Sequence, residues 1–162
     1  SQHFGLGHMS SSFNTSDGRD DGDLTDLLGE LRILLPASQL LSGFLIAVPF
    51  APGFERLVGA EQHIFLATFI FSLISLIMLS APAIQHRLVR PLLDRGQFKR
   101  IAGRQMLSGA STLAVSLVLV TQLVLSAVMG HVVGNLAAGS VSLLILILWL
   151  ALPWWLRNKG QI

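Results

Sequence analysis

The residues of this chain that could do chemistry are few. His63, two positions after Glu61, and His131 are of the types that hold a metal or sense pH. Glu30 with Arg32, and His86 with Arg87, are the neighbouring charged pairs that acid–base work on a lipid would draw on. Gln39 and Gln122 are amides set within long apolar runs. No nucleophile–base pair, phosphate loop or metal-ligand spacing accompanies them. The chain has no cysteine, which excludes disulfides, thiolate metal sites, covalent haem attachment and cysteine nucleophiles. The pattern predicts no catalytic residue, cofactor or metal centre, and hence a protein that is not an enzyme.

The elements that must position these residues are membrane spans. Of 162 residues, 52% are hydrophobic and 12% charged, about half the charged share of a soluble domain. Residues 62–81, 105–129 and 136–156 contain no Asp, Glu, Lys or Arg, and residues 33–54 make a fourth such stretch. Each is about as long as the 20 residues a helix needs to cross the hydrocarbon layer. The prediction is an all-α integral membrane four-helix bundle over residues 27–156, with spans at about 33–52, 62–85, 105–129 and 136–156. A C-terminal tail over 157–162 follows.

The first residues are a different material. Up to Glu30 the chain is rich in Ser, Gly and Asp, and six acids against Arg19 give it a net charge of −5. Such a segment predicts a disordered acidic tail over residues 1–26, with residues 1–8, ahead of Met9, read as an upstream addition to the natural start. It lacks the basic start, apolar core and small-residue cleavage site of a secretory signal. LTDLLGELRILL, with apolar residues at helical spacing, predicts an interfacial helix leading into span one.

Lys and Arg set the expected orientation. Ten of eleven fall on one side: Arg19 and Arg32 before span one, Arg87, Arg90, Arg95, Lys99, Arg100 and Arg104 between spans two and three, and Arg157 and Lys159 after span four. Only Arg56 lies on the other. Cationic loops stay inside, so both termini and the 86–104 loop are expected in the cytoplasm. Trp154 and Trp155, beside Arg157, read as an aromatic belt, and Trp149 lies near them. The basic loop and His86 suit anionic headgroups or a protein partner; nucleic acid is not expected despite a sequence pI near 9.9. GHVVGN, residues 130–135, reads as a tight turn between spans three and four.

Charge, proline and amide crowd the entrance to span one. Glu30 and Arg32 suit the headgroup layer, Pro36 a first helical turn or a kink, and Gln39 a hydrogen bond inside the bilayer. Pro49, Pro52 and Gly53 are expected to end span one, and Pro82 span two. Ser38 and Ser42 on span one, Ser72 and Ser75 on span two, and Ser108, Thr112 and Ser116 on span three recur at helical spacing. Small hydroxyl residues let helices approach and bond in lipid, so spans one to three are expected to form the tighter cluster, with late span four facing lipid or a partner; a polar substrate cavity would use the same residues.

ELR-x-LLP-x-x-Q-x-L-x-x-F-L-x-x-VPF at residues 30–50, followed by AP-x-x-x-HR at 81–87, resembles an uncharacterised bacterial family of small four-span membrane proteins. The resemblance covers roughly residues 27–156. The matched positions are Glu30, Arg32, Pro36, Gln39, Pro49, Phe50, Pro82, His86 and Arg87. Some members of that family carry a sodium:proton antiporter label. Cation:proton exchange uses an ionisable group inside the membrane, and no predicted span here holds a carboxylate. Two functional classes are therefore expected: a non-catalytic accessory or scaffold subunit of a larger membrane complex, or a small oligomeric channel or cation/proton-coupled transporter.

Overall fold

In a computed structural model, described here over residues 11–89 and 95–160, the described residues are nearly all helical. The elements are α1 (Ser11–Ala47), α2 (Gly59–Val89), α3 (Arg95–Met129), α4 (His131–Leu146) and α5 (Leu152–Asn158). Two short 3₁₀ turns join α1 to α2, and a π-helical turn, Ile147–Ala151, joins α4 to α5. Four segments are long and apolar enough to cross a membrane: Thr25–Phe50, Gly59–Gln85, Gly96–Met129 and His131–Asn158.

The fold class is as predicted, but the helices outrun the predicted spans. α1 reaches back to Ser11, through the segment whose composition predicts a tail and an interfacial helix. Extending a helix by one residue forms one bond per residue fixed, which is far cheaper than nucleating one. Pro36 consequently lies well inside α1 instead of in its first turn. Likewise, α2 runs to Val89 and α3 starts at Arg95, so much of the basic 86–104 segment is helix, not loop. Arg90 lies outside the described residues.

The turns follow local chemistry. Pro49 sits at the start of the 3₁₀ turn that ends α1, and Gly53 takes φ 102°, a left-handed value that suits a residue without Cβ. Glu61 Oε2 accepts the N–H of Val58 at 3.1 Å, capping the start of α2. Pro82, by contrast, does not end its span: it is fully buried inside α2. The GHVVGN turn shrinks to one residue, Gly130 at φ 94°, and His131 already opens α4.

Neighbouring helices run antiparallel, as the pairs Ser42–Ser72, Ser75–Gly109 and Gln122–Asn135 require. α2 packs on α3 and on α1, and α1 also touches α3. Among the described residues α4 packs against α3 and meets neither α1 nor α2, so α1–α3 form the tight unit and α4 stands on its flank. The apolar core lies near the α1–α2 turn: Leu45, Phe65 and Leu123, with Phe54 edge-on to Phe65 at 5.2 Å.

Candidate functional site

The polar residues of the spans sort into buried bonds and an outward stripe. On α1, Leu31, Ser38, Ser42 and Leu45 are buried, at the i, i+7, i+11, i+14 spacing of one helical face. Across it, Ser38 Oγ donates to Ser75 Oγ at 3.3 Å, Ser42 pairs with Ser72, and Ser75 Oγ donates to the Gly109 carbonyl at 2.8 Å. Farther along, Ser116 Oγ donates to the Thr68 carbonyl at 3.0 Å, while Thr68 turns its own hydroxyl to Ile64 O at 2.7 Å. These hydroxyls stitch three helices together, and all five serines are buried.

The hydroxyl face expected on α3 is only partly used in this way. Ser116 bonds across, but Ser108 is exposed and Thr112 returns its hydroxyl to Ser108 O at 3.1 Å and Gly109 O at 3.0 Å within its own helix. Gly109 is the residue that admits α2: a Cβ there would lie 2.8 Å from Leu79 Cγ and 3.2 Å from Met78 Cβ. No hydroxyl pattern in the sequence points to it.

At the entrance motif the structure separates residues that stand side by side in sequence. Arg32, Pro36 and Gln39 share the i, i+4, i+7 spacing of a second face of α1, and all three are exposed. The residues of α1 buried against its neighbours are instead Leu31, Ser38, Ser42 and Leu45. Gly43, four residues after Gln39, continues the exposed face, and a Cβ there would meet nothing within 4 Å. Glu30 behaves differently. It borders a shallow groove with Leu34 of α1, Gly103, Met106 and Leu107 of α3, and Trp149 of the π-helical turn.

Gln122 belongs to a polar cluster at the α3–α4 turn. Its Nε2 donates to Ser126 Oγ and to Asn135 Oδ1, both at 3.3 Å, and Ser126 Oγ pairs with His131 Nδ1 at 3.3 Å. Gln122 Oε1 is buried without a partner. Gly134 lies against this cluster so closely that a Cβ would stand 2.5 Å from Ser126 Oγ and 2.8 Å from its backbone N. His63 is engaged locally, its Nδ1 2.6 Å from the Gly59 carbonyl, while Glu61 caps α2. Among the described residues no three His, Asp or Glu side chains gather as a metal site.

The basic residues lie at the opposite end of the helices. Arg87 is exposed on the last turns of α2, and Lys99, Arg100 and Arg104 line the first turns of α3, with Arg95 opening it. His86 falls on the same part of α2. Trp154 and Trp155 are exposed on α5, and Lys159 Nζ lies 4.0 Å from the Trp155 ring centroid, a cation–π contact. Pro153, with no N–H, follows the π-helical turn, in which the Leu152 N–H reaches back five residues to the Ile147 carbonyl. Widening the helix there gives room for the proline ring, which would otherwise press on the carbonyl four residues earlier.

The family model that matches this chain is that of a family of unknown function, DUF6328, over residues 14–153. No curated protein and no solved structure matches it.

Proposed function

The chain belongs to the DUF6328 family, whose function is unknown, and we propose that it is a non-catalytic accessory or scaffold subunit of a larger assembly in the bacterial cytoplasmic membrane. Gln39 carries this reading. It lies within a span, on the exposed face of α1, away from the serine bonds that hold α1 to α2. An amide facing hydrocarbon keeps donors and acceptors that lipid cannot satisfy, and an interhelical partner restores about 0.6 kcal/mol on average and about 1.7 at most. Gly43, one turn on, leaves room for a helix backbone to come close. An amide and a glycine on one outward stripe suit a partner helix better than lipid. Anionic headgroups are the further expected partner, at the basic end, and the excess of Lys and Arg there supports placing both termini in the cytoplasm.

The antiporter label carried by similar proteins finds little support in these residues. Sequence positions 62–162 hold one acid, Asp94, between α2 and α3, and Ser38, Ser42, Ser72, Ser75 and Ser116 are buried and bonded between helices. Purification from native membranes in mild detergent, with a proton and cation flux assay on reconstituted protein, tests the proposal. Co-purifying subunits lost in Gln39→Leu and Gly43→Leu, without flux in the wild type, support it. A homo-oligomer with cation-dependent proton movement that Glu30→Gln removes overturns it.

A further inference from the structure

α4 stands apart from α1 and α2, and its departure from α3 opens a groove of about 580 Å³ between them, within the roughly 300–1,000 Å³ of small-molecule sites. The α3 wall includes Leu107, Ser111 and Val115; the facing wall includes Ile145, Leu146 and Trp149. Along α3 the lining runs from Leu107 to Leu119, about 18 Å at 1.5 Å per residue, close to the ~15 Å depth of one leaflet of a ~30 Å hydrocarbon layer. The groove is therefore as long as a single acyl chain is deep.

Its basic end is charged. Arg100 and Arg104 stand 7 and 3 residues before Leu107, so they continue the lining stripe of α3 toward that end, and both are exposed. Arg157, exposed on α5, comes 7 residues after Leu150 of the facing wall. Of the acids, Glu30 borders the neighbouring groove, which shares Leu107 and Trp149 with this one, and Asp26 stands one turn before it on α1. An apolar slot one leaflet deep with three arginines around its mouth matches one ligand chemistry. We propose that this groove is a binding site for an anionic phospholipid, with one acyl chain between α3 and α4 and the phosphate among Arg100, Arg104 and Arg157.

Trp149 reports on the site from inside it. The chain has three tryptophans, so Trp154→Phe with Trp155→Phe leaves Trp149 alone. This protein is reconstituted into phosphatidylcholine vesicles in which a rising fraction is replaced by acyl-brominated phosphatidylglycerol or acyl-brominated phosphatidylcholine. Bromine quenches the indole on contact. The glycerol lipid is expected to quench at the lower mole fraction, and Arg104→Gln and Arg157→Gln each to cut that preference about five-fold. Ser111→Phe, an exposed position on the groove wall, fills the slot and leaves the arginines; it is expected to abolish the preference. Equal quenching by the two lipids overturns the site. So does a preference that survives Ser111→Phe, since attraction to a basic surface then suffices. Shielding of Trp149 from both lipids, with disulfide cross-linking between copies carrying Trp149→Cys, overturns it in favour of a second copy in the groove. If Ser111→Phe fails to fold, an unchanged preference in the two arginine variants still overturns it.

Discussion

Ser75 of α2 and Gly109 of α3 meet through a 2.8 Å hydrogen bond from the serine hydroxyl to the glycine carbonyl. The same glycine has no side chain where Leu79 comes within 2.8 Å of a would-be Cβ. One position supplies the acceptor and the other the approach that brings it into reach. Lipid offers no hydrophobic drive between helices, so such short contacts carry their association.

Removing either half of that contact should therefore loosen α2 from α3. Ser75→Ala removes two interhelical bonds, the one donated to Gly109 and the one accepted from Ser38, and is expected to cost about 1.2 kcal/mol, at about 0.6 for each. Gly109→Ala pushes first on Leu79, a flexible side chain, and is expected to cost about 1–3 kcal/mol by overpacking. Unfolding in detergent micelles, followed by far-UV circular dichroism with denaturant, checks both. A stable Gly109→Leu protein would show that the two helices are not held at this distance.

Gly134 should be the less forgiving glycine. Its would-be Cβ stands 2.8 Å from Ser126 N and 2.9 Å from Gln122 O, backbone atoms of a continuous helix that cannot rotate away. Gly134→Ala is expected to push α4 off the end of α3 and to break the Gln122–Asn135 bond. Cross-linking between Cys substitutions at Gln122 and Asn135, whose side chains meet in the parent, measures the separation: efficient in the otherwise wild-type chain, sharply reduced with Gly134→Ala.

Pro153→Ala should act on the π-helical turn. Alanine restores an N–H and removes the ring, so the chain can return to four-residue bonding through Ile147–Ala151. Amide hydrogen exchange over residues 149–154 is expected to slow. Exchange as fast as in the parent would place the cause of the turn elsewhere.

The orientation has its own test. Reporter fusions at residue 132 should read outside, and fusions at residue 95 and the C-terminus inside, if the basic end is retained in the cytoplasm. A cytoplasmic reading at residue 132 contradicts the proposed topology.

Composition alone determined that four segments are long and apolar enough to cross a membrane, because the absence of charge over some 20 residues is a property of each segment by itself. The spacing of Ser38, Ser42, Ser72, Ser75 and Ser116 suited helix packing and a polar cavity alike; it is the folded arrangement that pairs them in buried bonds between helices. That the entrance motif of α1 faces outward was not legible. Arg32, Pro36 and Gln39 read as one motif with their neighbours, yet they share an outward stripe because a helix turns 100° per residue and the tertiary contact selects Leu31, Ser38 and Ser42 instead. Gly109, Gly134 and Trp149 were invisible for the same reason. A glycine is only a gap until another helix fills it, and a tryptophan only an interfacial residue until a groove forms around it. Helix identity follows from the summed preference of consecutive residues; neighbours, grooves and exposed stripes depend on pairs distant in sequence, and only the folded arrangement of α1 to α4 decides those.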